Sequence, residues 1–136
     1  MQEPLKLPWA KVNSSQFCQT LIHVNNTSGL EAKTAYRISR VFEACKAICQ
    51  DIYAKEMVLA KAHCILDDSG QPLLDKKGEP DIDPLKKDLF NAAYHAICPK
   101  EIEIKVKKID FNELVPAKLT GAQLNEISCL LDNLPE

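Results

Sequence analysis

Apolar residues recur every three or four positions through the middle of the chain, which is the spacing of one face of an α-helix. No glycine or proline interrupts residues 31–66. This stretch therefore predicts one long central helix. At about 1.5 Å per residue it would exceed the diameter of a compact domain of this size, so it either breaks near residues 54–56 or projects and packs on something else. An apolar stripe of such length is typical of a helix that packs lengthwise against neighbours. The stripe consists of Ile38, Val41, Cys45, Ile48, Ile52, Leu59, Ala62 and Leu66, with Lys55 as its one polar member.

Shorter helices are predicted on both sides of the long one. Residues 14–24 form an amphipathic segment that begins at a helix-capping serine. Asp83 followed by Pro84 marks a second helix start, and Pro99 ends that helix. A final helix is predicted from Thr120, because Thr120 and Gln123 have the spacing of a capping box. We expect the apolar face of the second of these helices to comprise Leu85, Leu89, Phe90, Ala93, Tyr94 and Ile97.

Two segments have the alternation of β-strands. Residues 101–107 alternate polar and apolar without error, and residues 1–12 form a proline-marked extended arm with apolar residues at 5, 7 and 9. Residues 67–83 contain turn signals and predict a small β-hairpin or a structured loop. The strand at 101–109 needs a partner, and either this hairpin or the arm could provide one.

The predicted fold is therefore mainly α with a small β element, of the α+β class. A long central helix is packed by shorter helices and accompanied by a β-hairpin or strand. The predicted organisation is an extended amino-terminal arm, residues 1–12, followed by a single helical domain, residues 13–136. That domain carries a small β insertion around 67–83 and the strand at 101–109.

Composition narrows the classes of function. The 136 residues are 46% apolar and 26% charged, with a net charge of −2. This balance gives no strong field to attract nucleic acid or an anionic membrane, so neither is an expected partner. The first ten residues lack the features of a secretory signal peptide, and no apolar run has the length of a membrane span. We expect reduced thiols at the six cysteines and no bound cofactor.

One arrangement of cysteine and histidine allows an alternative. Cys45 and Cys49 are four residues apart on the long helix, and His95 and Cys98 are three apart on another. Each pair therefore shares one helix face. If the two pairs faced each other, they would form the four-ligand set of a tetrahedral zinc site. Against it, neither pair has the short loop spacing of structural zinc sites, and Cys45 already belongs to the apolar stripe.

Signatures of catalysis are weak. His63 precedes Cys64, but adjacent helical residues point about 100° apart and cannot act as a nucleophile–base pair. The sequence has no glycine-rich phosphate loop, Gly-x-Ser-x-Gly motif or His-Glu-x-x-His motif. We therefore expect a protein that is not an enzyme.

The order of elements resembles a group of short proteins of unknown function encoded by tailed bacteriophages. The resemblance rests on the helix opening Lys33–Ile38, the turn Asp67–Pro72, the second turn at Lys77-Gly78, and the closing segment Leu119–Leu124. It covers roughly residues 14–134. The group carries no catalytic residues to transfer, so the resemblance implies a viral protein that works by binding, in the host bacterial cytoplasm or in the virion.

The predicted function is accordingly a virion or assembly component that acts through protein–protein contacts, with another protein or with copies of itself. An alternative is an inhibitor of a host defence or metabolic protein, and a second alternative is a small zinc-binding module. The residues predicted to contact a partner are Trp9, Ile38, Val41, Ile48, Ile52 and Leu59.

Overall fold

The fold is seen in a computed structural model, which describes residues 4–135. Its helices are α1 (Trp9–Val12), α2 (Ser15–Asn25), α3 (Ala32–Ala62), α4 (Lys87–Ile97) and α5 (Gly121–Ile127). Its strands are β1 (Leu5–Pro8), β2 (Glu101–Ile104), β3 (Ile109–Asp110) and β4 (Leu131–Asp132). Three 3-10 turns complete it: Pro84–Lys86, Phe111–Ala117 and Ser128–Leu130. The predicted class, mainly α with a small β element, is confirmed.

The long central helix is continuous. Helix α3 runs from Ala32 to Ala62 without a break and ends four residues before the predicted limit at Leu66. The chain leaves the helix at this point because the backbone of His63 and Ile65 bonds instead to the segment near Asp81 and Asp83. Within residues 4–135, no helix has the length and apolar character needed to cross a membrane.

The chain divides into two compact units. Unit 1 comprises residues 4–47 and 100–135 of the described chain, and unit 2 comprises Ile48–Pro99. Helix α3 contributes its first half to unit 1 and its second half to unit 2. The two units are described separately below.

Unit 1 contains a two-stranded antiparallel sheet on a helical core. Strand β1 from the arm pairs with β2, with Leu5 opposite Ile104 and Leu7 opposite Ile102. The arm is thus the partner of the predicted strand, one of the two choices that the sequence left open. The alternation places Leu5, Leu7, Ile102 and Ile104 on a buried face and the charged residues on an exposed one.

Two further contacts close unit 1. The short strands β3 and β4 pair in parallel, with Leu131 opposite Ile109 and Asp132 opposite Asp110. Thr34, which is fully buried on α3, donates a hydrogen bond from its hydroxyl to a carboxylate oxygen of Glu113. The capping box of α5 is confirmed, because Thr120 and Gln123 each bond the backbone N–H of the other.

Unit 2 contains a loop built from two matching turns. Asp67 and Asp75 each accept backbone N–H bonds on one carboxylate oxygen, from residues two and four positions ahead. Gly70 and Gly78 occupy the left-handed region in these turns, with φ of 81° and 79°. The pattern Asp-x-x-Gly-x-Pro thus occurs twice, eight residues apart.

The same eight-residue spacing produces a closed ring of hydrogen bonds. The N–H of Ile65 donates to the carbonyl of Asp81, Asp81 donates to Leu73, and Leu73 donates to Ile65, at 2.8–2.9 Å. Three isolated bridges accompany the ring: Cys64 with Ile82, Leu66 with Pro72, and Leu74 with Pro80. Of the two forms predicted for residues 67–83, the structure has the structured loop, which is built from three short backbone segments.

Candidate protein-interaction surface

Buried and exposed apolar residues are unevenly shared between the two units. Of the twenty-two buried apolar residues in the described chain, only three lie in unit 2: Ile52, Ala60 and Cys64. Of the eleven large apolar side chains that are exposed, seven lie in unit 2, although it holds little more than a third of the chain. These seven are Tyr53, Val58, Leu66, Leu73, Leu74, Leu85 and Leu89.

Helix α4 shows this exposure most clearly. Asp83 caps the 3-10 turn before it, since its carboxylate accepts the N–H of Leu85 at 3.0 Å. The helix itself contains no buried residue. Leu85 is 93% exposed and Leu89 is 64% exposed, whereas the sequence assigned both to a packed face. Periodicity identified these positions as apolar, but nothing in the described residues covers them.

The apolar residues of α4 lie on two sides of the helix. On one side the half-buried ring of Phe90 lies 6.2 Å from the ring of His63 and 6.4 Å from that of Tyr94. On the other, Leu89, Ala92 and Ala96 are exposed and share one face at a spacing of three and four. With Leu85 one turn ahead, we call these four residues the α4 stripe. A helix that is apolar on both sides is normally buried in a larger core.

The loop of residues 65–81, which we call the turn loop, presents further apolar side chains. Its two aspartate-based turns hold the backbone, so the side chains between them are displayed and not packed. Leu74 is 63% exposed, and Leu66 and Leu73 are also exposed. The α4 stripe and these loop leucines all belong to unit 2.

Unit 2 also contains one perturbed carboxyl group. Burial raises the pKa of Glu56 on α3, and the negative charge of Glu79 raises it further. Both groups are acidic and both lie in unit 2, so the apolar surface of this unit is accompanied by like charges that disfavour each other.

Most residues that the sequence assigned to a partner are instead packed inside this chain. Trp9, Ile38 and Val41 are buried in unit 1, and Ile52 is buried in unit 2. Ile48 and Leu59 are half-buried. Intramolecular packing accounts for the apolar character of these positions. The prediction that they contact a partner therefore supports no proposal below.

The zinc alternative finds no support in the placement of its residues. Cys45 is buried, Cys49 and Cys98 are half-buried, and His95 is exposed. Among residues 4–135, no group of three or more His, Cys, Asp or Glu side chains is arranged to hold a metal ion. All six cysteines lie in the described chain and none forms a disulfide bond.

Two of the thiols, those of Cys18 and Cys129, have a raised pKa. Burial raises the pKa of Cys18 and of Cys129, although the positive charges of Lys11 and Lys108 partly offset the effect at Cys129. A raised pKa lowers the fraction of reactive thiolate near neutral pH. Cys18 also donates a hydrogen bond to the carbonyl of Val12 at 3.2 Å.

Two cavities in unit 1 are each lined by only one charged side chain. A cavity of about 160 Å³ is apolar apart from Lys118. The other, of about 240 Å³, lies between α2 and α5, and Glu126 is its one charged residue. The carboxylate of Glu126 is paired with Lys11 at 2.8 Å. The one hydroxyl group at the second cavity, that of Thr20, donates a hydrogen bond to the carbonyl of Gln16 at 2.9 Å.

Known proteins add no family to this picture: no family model, curated protein or solved structure matches the chain.

Proposed function

We propose that this protein is a non-enzymatic binding protein that acts through protein–protein contacts, as a virion or assembly component of a tailed bacteriophage. The observation that carries the proposal is the composition of unit 2. This unit has three buried apolar residues against seven large exposed ones. Exposed apolar surface of this kind is characteristic of an interaction site.

The α4 stripe is the central part of the proposed interface. Burying a leucine side chain releases roughly 1.5–3 kcal/mol, and Leu85 and Leu89 are both available for burial. The surrounding lysines, Lys86 and Lys87, are exposed and would form a polar rim. An apolar strip with a charged border fits a protein partner that presents an apolar groove or helix.

The phage setting comes from the sequence resemblance, which is carried by Lys33–Ile38, the two turns and the closing segment Leu119–Leu124. Asp67–Pro72 and Lys77-Gly78 belong to the two matching turns of the loop. Leu73 and Leu74 lie between these two motifs in the chain and are exposed.

The test is a phage that carries Leu85→Asp and Leu89→Asp. We expect the yield of complete particles to fall at least tenfold, because two charges replace the apolar centre of the interface. The matched control is Gln50→Asp with Asn91→Asp, which replaces two exposed neutral residues of unit 2 outside the stripe and makes the same change in net charge. Particles are counted by electron microscopy, and mass spectrometry of purified virions shows whether the protein is a component.

Two results would contradict this proposal. Normal particle yield from the Leu85→Asp, Leu89→Asp phage, with the protein folded and expressed, would remove the α4 stripe as an interface. Normal assembly in a phage that lacks the gene would remove the assembly role altogether, and a growth defect on selected hosts would then favour the inhibitor of a host protein.

A further inference from the structure

The β1–β2 sheet of unit 1 has one protected edge and one open edge. Trp9 donates its N–H to the carbonyl of Lys100 at 3.1 Å, and these two residues are direct partners when the register of β1 and β2 is extended. Hydrogen-bonded pairs alternate along an antiparallel ladder. Leu7–Ile102 and Leu5–Ile104 are therefore hydrogen-bonded pairs, and the residues between them direct their backbone groups outward.

On the β1 side, proline occupies the outward positions. Pro8 is the last residue of β1 and Pro4 immediately precedes the strand. Proline has no N–H to donate, and it is a common device for blocking the edge of a sheet. An added strand on this side would find Lys6 as the one outward N–H within β1.

On the β2 side, the outward backbone groups within the strand belong to Glu101 and Glu103, and Lys105 follows the strand in a three-residue turn. Within residues 4–135, no backbone or side-chain group bonds to the outward N–H or C=O of these three residues. Their side chains are exposed, and the intervening Ile102, Ile104 and Val106 are buried. This edge is thus an unblocked template for another strand.

Charge along this edge selects the strand that fits it. Residues 101–107 carry glutamate at the first two exposed positions and lysine at the last two. When such a strand meets a second copy of itself in antiparallel orientation, glutamates can lie opposite lysines. We propose that β2 of one chain pairs with β2 of a second copy of the same chain, and so joins two sheets into one of four strands.

Only one register satisfies both the charges and the backbone. If the twofold axis passes through Ile104, Glu103 lies opposite Lys105 of the second copy, and Glu101 lies opposite Lys107. The outward residues then become the hydrogen-bonded pairs, as the ladder requires. A shift of the axis to Ile102 or to Glu103 places glutamate opposite glutamate, which is unfavourable.

The bend at Lys105 determines the order in which the pairs form. Val106 donates its N–H to the carbonyl of Ile104 at 2.8 Å, which is a three-residue turn common at strand ends. The two Glu103–Lys105 pairs flank the axis directly and form the first part of the ladder. The outer Glu101–Lys107 pairs follow when this turn straightens.

The experiment uses two charge-reversed forms of the full chain. Lys105→Glu with Lys107→Glu makes the exposed positions all acidic, and Glu101→Lys with Glu103→Lys makes them all basic. We expect the wild type to dimerise as concentration rises, and each form alone to dimerise at least about tenfold more weakly, because four attractive pairs become repulsive. An equimolar mixture of the two forms regains dimerisation as a one-to-one complex.

Analytical ultracentrifugation measures association, and circular dichroism checks that each form is folded. The matched control, Lys76→Glu with Lys77→Glu in the turn loop, makes the same change in net charge and leaves the association constant unchanged. As a second readout, the amides of Glu103 and Lys105 become protected from hydrogen exchange as concentration rises. Ile102 and Ile104, which already bond to β1, show little change.

Three results would overturn the inference: a wild type that stays monomeric at every concentration, reversed forms that associate as the wild type does, or a mixture that does not regain association. The residues tested belong to unit 1 and are not those of the α4 stripe. A monomeric wild type would therefore remove this inference and leave the proposal for unit 2 standing, while normal assembly of the Leu85→Asp, Leu89→Asp phage would do the reverse.

Discussion

At the scale of single residues, the polar groups with the most defined roles secure the fold. Thr34 is fully buried and donates its hydroxyl to Glu113, whose other carboxylate oxygen lies 3.5 Å from the ammonium of Lys33. This contact ties the start of α3 to the 3-10 turn Phe111–Ala117. A hydrogen bond to a charged group contributes more than one between neutral groups, because the full negative charge of the carboxylate strengthens the electrostatic attraction.

We expect Thr34→Val to lower the free energy of unfolding by about 1–3 kcal/mol, since valine keeps the shape and leaves the carboxylate without its buried donor. The control is Thr27→Val, which removes a hydroxyl bonded to the carbonyl of His23 in an exposed setting. Urea denaturation followed by circular dichroism measures both. If Thr34→Val lowers the free energy of unfolding no more than Thr27→Val does, the buried hydrogen bond contributes no more to stability than the exposed one.

Glu56 gives a prediction about pH. Its pKa is raised in the folded state, by burial first and by the charge of Glu79 second. The folded protein therefore holds this proton more tightly than the unfolded chain. The stability that this group contributes is fully present below its unfolded pKa, and it is lost as pH rises from that value through the folded pKa.

Glu56→Gln should remove this decline, so that the variant is more stable than the wild type at pH 7. The gain stays below about 1 kcal/mol, because the group is partly exposed and solvent screens it. Denaturation at pH 4 and pH 7 measures the difference. Asp51→Asn on the same helix is the control, and an equal change in that variant would argue against a role for the Glu56 site.

At the scale of elements, the sequence predicted most of what periodicity governs. The apolar stripe through Ile38 and Ile52 predicted α3, and the alternation at 101–107 predicted a strand. Only Glu101–Ile104 of the predicted strand 101–109 pairs with the arm, because the backbone turns at Lys105. The 3-10 turn at Phe111–Ala117 and the parallel pair β3–β4 were not predicted. Elements this short have no period to detect, and tertiary contacts set them.

The turn loop shows a signal that sequence reasoning could have used. The turns at Asp67 and Asp75 were recognised singly, but their repetition eight residues apart was not. That spacing is what aligns Ile65, Leu73 and Asp81 in the hydrogen-bonded ring. The candidate surface could not be predicted from the sequence for a different reason. The pattern shows that Leu85 and Leu89 are apolar, but it carries no information on whether another part of the protein covers them.

The repeated turn places Gly70 and Gly78 in equivalent positions. Both Gly70 and Gly78 have positive φ and open space around the position of a Cβ atom. Alanine at either site should therefore cost about 1–2 kcal/mol from backbone strain alone. Gly121 also has open space but lies at the first helical position of α5 without positive φ, so alanine there should be neutral or slightly stabilising. Urea denaturation measures the free energy of unfolding of the three variants. Equal losses at Gly70, Gly78 and Gly121 would contradict the assignment of the cost to backbone strain.

At the scale of the whole chain, the two units differ in how much apolar surface each one buries. Unit 1 holds nineteen of the twenty-two buried apolar residues in the described chain, and unit 2 holds three. Local stability follows buried apolar contact, because segments with few such contacts open at low free-energy cost. Unit 1 is therefore stabilised by a buried apolar core, whereas unit 2 depends on backbone hydrogen bonds and a few ring contacts.

This difference predicts a pattern of amide hydrogen exchange. Backbone amides of α4 and the turn loop should exchange at least about tenfold faster than those of α2 and β2, since a difference of 1.4 kcal/mol in opening free energy already gives that factor. The proposed function predicts that in assembled phage particles, or in a complex with a protein partner, exchange of the α4 amides slows toward the rate of unit 1, because the α4 stripe then becomes buried. The Leu85→Asp, Leu89→Asp variant should show the fast exchange but not the slowing. Slow exchange of α4 in the isolated protein would mean that unit 2 is stable without a partner, and the exposed leucines would then need an explanation other than an unfilled interface.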